Sequence, residues 1–155
     1  MNKKKIFIVL SILIGTLIVV WFISLLAWKS VQKQSEKSNE KYGIKVMVES
    51  ADKEYVNYKV KVEGREEYKN LAADNNWSIL EKYTIFGWES VEQIAGQFTT
   101  IKGLPPLSNS REFNGGISLR KYFGKVPSGR YRMKCEIYQT KNGEMVDWYY
   151  IIFEL

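Results

Sequence analysis

Residues Ile6 to Trp28 form a run of 23 residues without a charge, preceded only by Met1-Asn2-Lys3-Lys4-Lys5. Sixteen of them are Leu, Ile, Val or Phe. A helix of that length reaches roughly 34 Å at 1.5 Å per residue, enough to cross a hydrocarbon core of about 30 Å. Each such side chain favours the bilayer centre by about 0.3–0.6 kcal/mol, so insertion is favourable by several kcal/mol. A cleaved signal peptide has a shorter apolar core, followed by a small-x-small site. Here Ala27 is preceded at two places by Leu25, and the only Cys, the residue a lipid anchor needs just after the run, is Cys135. The run therefore reads as a retained transmembrane helix, with the lipid bilayer as its partner through Ile6 to Trp28 and Trp28 as an interfacial anchor. Ser11 and Gly15 share a helix face, a spacing met both in helix pairs and by chance in apolar runs.

Orientation follows from the flanks. Lys3, Lys4 and Lys5 are undiluted, whereas Lys29, Lys33, Lys37 and Lys41 are offset by Glu36 and Glu40. The expectation is a cytoplasmic tail at 1–5, a membrane helix at 6–28, a polar solvated linker at 29–42 with room to extend the membrane helix at its start, and an extracellular domain at 43–155. The formal net charge of +6 then divides into +3 on the tail, +2 on the linker and +1 on everything from Tyr42 onward. The basic character belongs to the membrane flanks, where Lys meets anionic headgroups. No basic stripe of the kind that binds nucleic acid is present, so no nucleic-acid partner is expected.

The sequence contains no His and one Cys. That excludes histidine-based nucleophilic catalysis, histidine metal sites, an internal disulfide and a thiolate metal cage. No cofactor is expected. Carboxylates remain: Glu66 and Glu67 beside Arg65, and Asp74 and Glu81 flanking Trp77. Glycoside hydrolysis needs two carboxylates facing each other across a cleft, and nothing marks such a pair, so no enzymatic activity and no catalytic residue are expected. Asp74-Asn75-Asn76 reads as a turn and lacks the spacing of a calcium loop. Asn76-Trp77-Ser78 fits a glycosylation sequon, but Trp77 reads as buried.

From Ile44 onward the hydropathy alternates with period two. Ile44, Val46 and Val48 face one way, as do Val56, Tyr58, Val60 and Val62. Trp77 to Tyr83 predicts a third strand and Phe86 to Val91 a fourth. Phe113 to Lys121 predicts one or two more. Tyr131, Met133, Cys135 and Ile137 alternate with Arg130, Arg132, Lys134 and Glu136, and Met145 to Leu155 predicts the last strand. Asn142-Gly143 marks a hairpin turn, and Gly115-Gly116 and Pro127-Ser128-Gly129 mark breaks. Glu66 to Ala73 has room for a helical turn or two. Seven or so antiparallel strands in this length predict an all-β domain, a sandwich or barrel. In Val126-Pro127-Ser128-Gly129-Arg130-Tyr131-Arg132 a turn leads into a strand whose second residue is Tyr, the layout of a tyrosine corner, in which the phenol bonds back to the corner's backbone.

These residues, with Trp77 and Glu81-Lys82-Tyr83, Gly87-Trp88-Glu89, Ile117-Ser118-Leu119, Tyr122-Phe123-Gly124 and a closing Phe153-Glu154-Leu155, resemble the immunoglobulin-like domains of Gram-positive bacterial membrane proteins and lipoproteins. The resemblance covers most of 43–155. It departs at Leu104-Pro105-Pro106-Leu107, where that family often carries a Pro-Gly corner. It implies an immunoglobulin-like antiparallel β-sandwich at a bacterial cell surface and carries over no catalytic residue.

The dense aromatics are core area in such a sandwich, or a binding platform where exposed. Cys135 reads as a small buried hydrophobe. In the last strand Tyr149, Ile151 and Phe153 are expected in the core, which leaves Trp148, Tyr150 and Ile152 on the opposite face. An apolar row there needs a cover. Either Glu92 to Asn114 supplies it, through Ile94, Phe98, Ile101, Leu104 and Leu107, or a partner does, which makes Trp148, Tyr150 and Ile152 a binding face. The function expected first is a membrane-anchored, non-catalytic domain that binds another protein or a cell-wall component. The alternative is an accessory or regulatory subunit of a membrane enzyme, transporter or sensor that docks through the helix.

Overall fold

The computed structural model describes residues 3–94 and 105–155, and of residues 3–5 and 75–78 only the backbone. The chain divides into two units, residues 1–34 and 35–155. A single helix, α1 (Lys3–Lys41), begins in the first and ends in the second. Its part from Ile6 to Leu26 exposes large apolar side chains on all sides and is long and apolar enough to cross a membrane. A helix that is apolar all round does not stand free in water.

The second unit starts with the last turns of α1. Residues 29–42, expected as a solvated linker, are helical as far as Lys41, and Ser35, Asn39 and Tyr42 are buried. Two contacts explain this. The Asn39 side chain bonds to the backbone of Tyr150 at 2.7 and 2.8 Å, and the Tyr42 ring meets Tyr68 with centroids 5.2 Å apart. The helix ends because Gly43 takes a φ of 68°, where a side chain would be strained, and because the Tyr68 hydroxyl donates to the carbonyl of Lys41 at 2.8 Å.

Among the described residues seven strands follow: β1 (Ile44–Ala51), β2 (Tyr55–Val62), β3 (Leu71–Thr84), β4 (Gly87–Ser90), β5 (Arg111–Ser118), β6 (Arg130–Gln139) and β7 (Met145–Glu154). They pair antiparallel in two sheets, in the orders β1-β2-β5 and β4-β3-β6-β7. One core joins the inner faces: Ile44, Val56, Tyr58, Val60 and Ile117 from the first sheet, and Leu80, Met133, Cys135, Tyr149 and Ile151 from the second. The alternation read from the sequence is the alternation of burial along β2 and β6.

Three local expectations change. The Glu66–Ala73 segment holds a single 3-10 turn, Glu66–Tyr68, and β3 already begins at Leu71, so Asp74-Asn75-Asn76 is strand and not turn. Gly115 and Gly116 lie inside β5. Each is covered by an aromatic ring of β2: a Cβ on Gly115 would meet the Tyr58 ring at 2.3 Å, and one on Gly116 the Tyr55 ring at 2.7 Å. Finally, β5 stops at Ser118, and α2 (Leu119–Phe123) follows. Ser118 caps it by accepting from the backbone N–H of Lys121, and Leu119 and Phe123, four apart on one face, enter the core.

At the start of β6 the Tyr131 hydroxyl donates to the carbonyl of Pro127 at 2.6 Å, the backward bond expected of the corner. Its ring is buried and stacks on Phe153 at 5.7 Å.

Candidate functional site

The parity of β7 is as expected. Tyr149, Ile151 and Phe153 are buried, and Trp148, Tyr150 and Ile152 lie half-buried on the outer face of the four-stranded sheet. Register decides what stands beside them. Across β6, Ile152 pairs with Arg132, Tyr150 with Lys134 and Trp148 with Glu136. On the other side of β6, Arg132 pairs with Glu81 of β3, and Tyr83 of β3 pairs with Trp88 of β4.

These positions create an ordered row. The guanidinium of Arg132 lies between two rings, 4.3 Å from the centroid of Trp88 and 4.9 Å from that of Tyr150. Lys134 lies 5.7 Å from the Trp148 ring. Both cations bind Glu81, Arg132 Nε at 2.5 Å and Lys134 Nζ at 2.9 Å. Cation and ring attract through the quadrupole of the aromatic face, and the planar guanidinium stacks as well. Burial alone would push the Glu81 carboxyl up, but the hydrogen bonds and charges of Lys134 and Arg132 outweigh it and hold the carboxyl below the usual range. Burial also pushes the Tyr150 phenol up.

The cover of this row is therefore mostly local. Arg132 covers Tyr150, Lys134 covers Trp148, and Asn39 of α1 closes the backbone of Tyr150. The segment expected to cover it is placed elsewhere where it is described. Leu107 is buried in the core, its N–H donating to Leu71 and its carbonyl accepting from Arg65. Ile94 donates to the carbonyl of Tyr122, beside α2, and its side chain is exposed. Phe98, Ile101 and Leu104 lie outside the described residues. Sequence reading missed Arg132, Lys134, Glu81 and Trp88 as members of this face. The available signal was the charged alternate row Arg130, Arg132, Lys134, Glu136, which had to face something other than the core.

The carboxylates are not brought together. Glu66 and Glu67 are exposed on their 3-10 turn. Asp74 is buried in β3, and Glu81 is seven residues further along the same strand, roughly 20 Å away at about 3.3 Å per residue. The core holds polar atoms too. The Tyr149 hydroxyl donates to the carbonyl of Asp74 at 2.6 Å, and burial pushes the Cys135 thiol and the Tyr58 and Tyr149 phenols up. A thiol so placed stays protonated and inert. The backbone of the sequon Asn76-Trp77-Ser78 runs in β3, and its side chains, that of Trp77 included, lie outside what is described.

No protein-family model, no curated protein and no solved structure matches this chain.

Proposed function

We propose that this chain is a single-pass membrane protein, N-terminus in the cytoplasm, that displays an immunoglobulin-like β-sandwich outside a bacterial cell and works by binding rather than by catalysis. The partner is a protein or a cell-wall component. Two features support the immunoglobulin-like reading. The strand orders β1-β2-β5 and β4-β3-β6-β7 follow the Greek-key connectivity of that architecture, with β6 in the place of its F strand. Tyr131 makes its corner bond at the start of that same strand.

The observation that carries the binding reading is the outer face of β4-β3-β6-β7. Trp88, Arg132, Tyr150, Lys134 and Trp148 are held in place by one another and by Glu81, yet Trp148, Tyr150 and Ile152 stay partly open to solvent. Side chains that are already ordered lose little freedom on binding, and Trp, Tyr and Arg are the residues that most often dominate an interface. The test is photocrosslinking in native membranes from benzoylphenylalanine at position 148 or 152, compared with position 142 in the β6–β7 hairpin. A discrete adduct from 148 and 152, absent from 142, is expected. Equal labelling at all three positions overturns the assignment of this face.

A further inference from the structure

The end of the two-sheet unit at which the chain enters differs from the opposite end. Lys41 pairs with Asp147 at 3.2 Å, and Asn39 bonds to Tyr150. Moving back along α1 thus means moving forward along β7, toward Glu154 and Leu155. That end of the sheets also carries the β3–β4 turn, α2 and the Gly124–Gly129 segment, since Thr84 precedes the turn, Ser118 ends β5 and Arg130 begins β6. Six residues, Lys29 to Gln34, separate the start of this unit from the apolar run.

Two kinds of side chain collect there. Ile85 and Phe86 form the tip of the β3–β4 turn with exposures of 92% and 87%, and Ile94, beside α2, is 65% exposed. Turn tips are normally Gly, Asn, Asp or Ser. This tip is also fixed: the Thr84 hydroxyl donates toward Gly87 or Glu89 and accepts from the N–H of Phe86. At the same end are Lys53, Arg120, Lys121 and Lys125, all exposed; Lys53, Arg120 and Lys125 line one cleft with Glu54, which pairs with Arg120 at 2.9 Å and leaves the three lysines as the excess charge. At the opposite end the β6–β7 hairpin leads into Met145 and Val146, which are exposed to about half that extent, 46% and 45%.

We propose that this end of the domain rests on the bilayer that holds the apolar helix, with Ile85 and Phe86 inserted among the headgroups and Lys53, Lys121 and Lys125 facing anionic lipid. Apolar side chains beside a cationic cluster fit that interface from both sides: the first leave water, and the second meet the negative surface within a Debye length. The tether supplies the proximity, because the entering chain is attached to a membrane-long run through six residues. This assignment rests on the membrane-anchor part of the proposed function and is independent of the binding partner.

The test uses the full chain in nanodiscs of phosphatidylcholine with or without phosphatidylglycerol. Cys135 is fully buried and is kept, with the unmodified chain as the labelling blank. A nitrobenzoxadiazole label is placed at Phe86→Cys, at Asn142→Cys in the opposite hairpin, and at Leu17→Cys in the apolar run. Quenching by doxyl-labelled lipid is the readout. The label at 86 is expected to be quenched about threefold more than that at 142, and more strongly with phosphatidylglycerol present. The pair Lys121→Glu and Lys125→Glu should abolish the gain from phosphatidylglycerol. Quenching at 86 no greater than at 142, with the label at 17 quenched, overturns the proposal and leaves the anchor standing. An unquenched label at 17 removes the anchor and the proposal together.

Discussion

The Tyr131 phenol illustrates how one atom can hold a chain reversal. Its ring is buried, so its hydroxyl must find a partner within the protein, and the carbonyl of Pro127, four residues earlier, is within 2.6 Å. Tyr131→Phe leaves that carbonyl with one acceptor bond fewer and should cost about 1–2 kcal/mol in denaturant unfolding of the full chain in detergent. A change within error would show that water replaces the phenol. Glu81 is the second case at this scale. Its carboxyl is held below its ordinary range, so its contribution to stability is present above the unfolded value and is lost as pH falls through the folded one. Glu81→Gln removes the charge that Arg132 and Lys134 share. It should cost roughly 2–4 kcal/mol at neutral pH, because two partly buried cations lose their counter-charge. It should also flatten part of the fall in melting temperature between about pH 5 and pH 3. Asp147, whose carboxyl is likewise held low against its burial by Tyr42 and Lys41, keeps part of the remaining slope, with Asp52, held low by the N–H groups of Tyr55 and Glu54, and Glu63, held low by Lys45. An unchanged acid profile would mean that Glu81 is solvated and the row holds without it.

At the scale of elements, β7 is an edge strand, and an edge exposes backbone donors and acceptors that invite other chains. The amide of Asn39 satisfies both groups of Tyr150, so α1 blunts that edge at its middle. Asn39→Ala should destabilise the unit by about 1–3 kcal/mol and speed hydrogen exchange at the Tyr150 amide before any other on β7. The glycines of β5 give a graded comparison. Tyr58 is buried and cannot move away from a new Cβ, whereas Tyr55 is 42% exposed and can swing out. Gly115→Ala should therefore cost about 1–3 kcal/mol and Gly116→Ala less than half of that, measured in the same unfolding series. These elements also show which parts of the fold were legible. Period-two alternation with one buried face marks a strand unambiguously, which is why β1, β2, β6 and β7 were visible in the residues themselves. The short α2 was not, since five residues are too few to display a helical period and Leu119, Tyr122 and Phe123 also suit a strand. Gly115-Gly116 reads as a break because the rings that cover it come from β2, at a distance along the chain that only pairing reveals. The same holds for the outer face. The parity of β7 placed Trp148, Tyr150 and Ile152 together, but their cation partners depend on the β6–β7 and β3–β6 registers, which no local pattern encodes.

At the scale of the whole molecule, the two units raise separate questions, and each has its own measurement. The apolar helix has lysines on both flanks, so orientation is decided by a difference in density rather than by sign. The probe belongs at Asn142, which is exposed in the β6–β7 hairpin, and not in the last turns of α1, where Ser35 is buried. Asn142→Cys should react with an impermeant maleimide on intact cells, and reaction only after lysis would place the domain inside. What the helix does beyond anchoring is a different matter. Binding through the outer sheet face needs the domain held at the membrane, whereas docking by the helix on another membrane protein needs these particular side chains, Ser11 and Gly15 among them, because packing in lipid depends on close approach of small residues. Replacing Ile6 to Trp28 with an unrelated apolar span of equal length separates the two. The crosslinked adduct from position 148 should survive the exchange, since a generic span keeps the domain at the same surface. Loss of the adduct with the protein still in the membrane fraction would shift the recognition from the sheet to the helix and make the chain an accessory subunit.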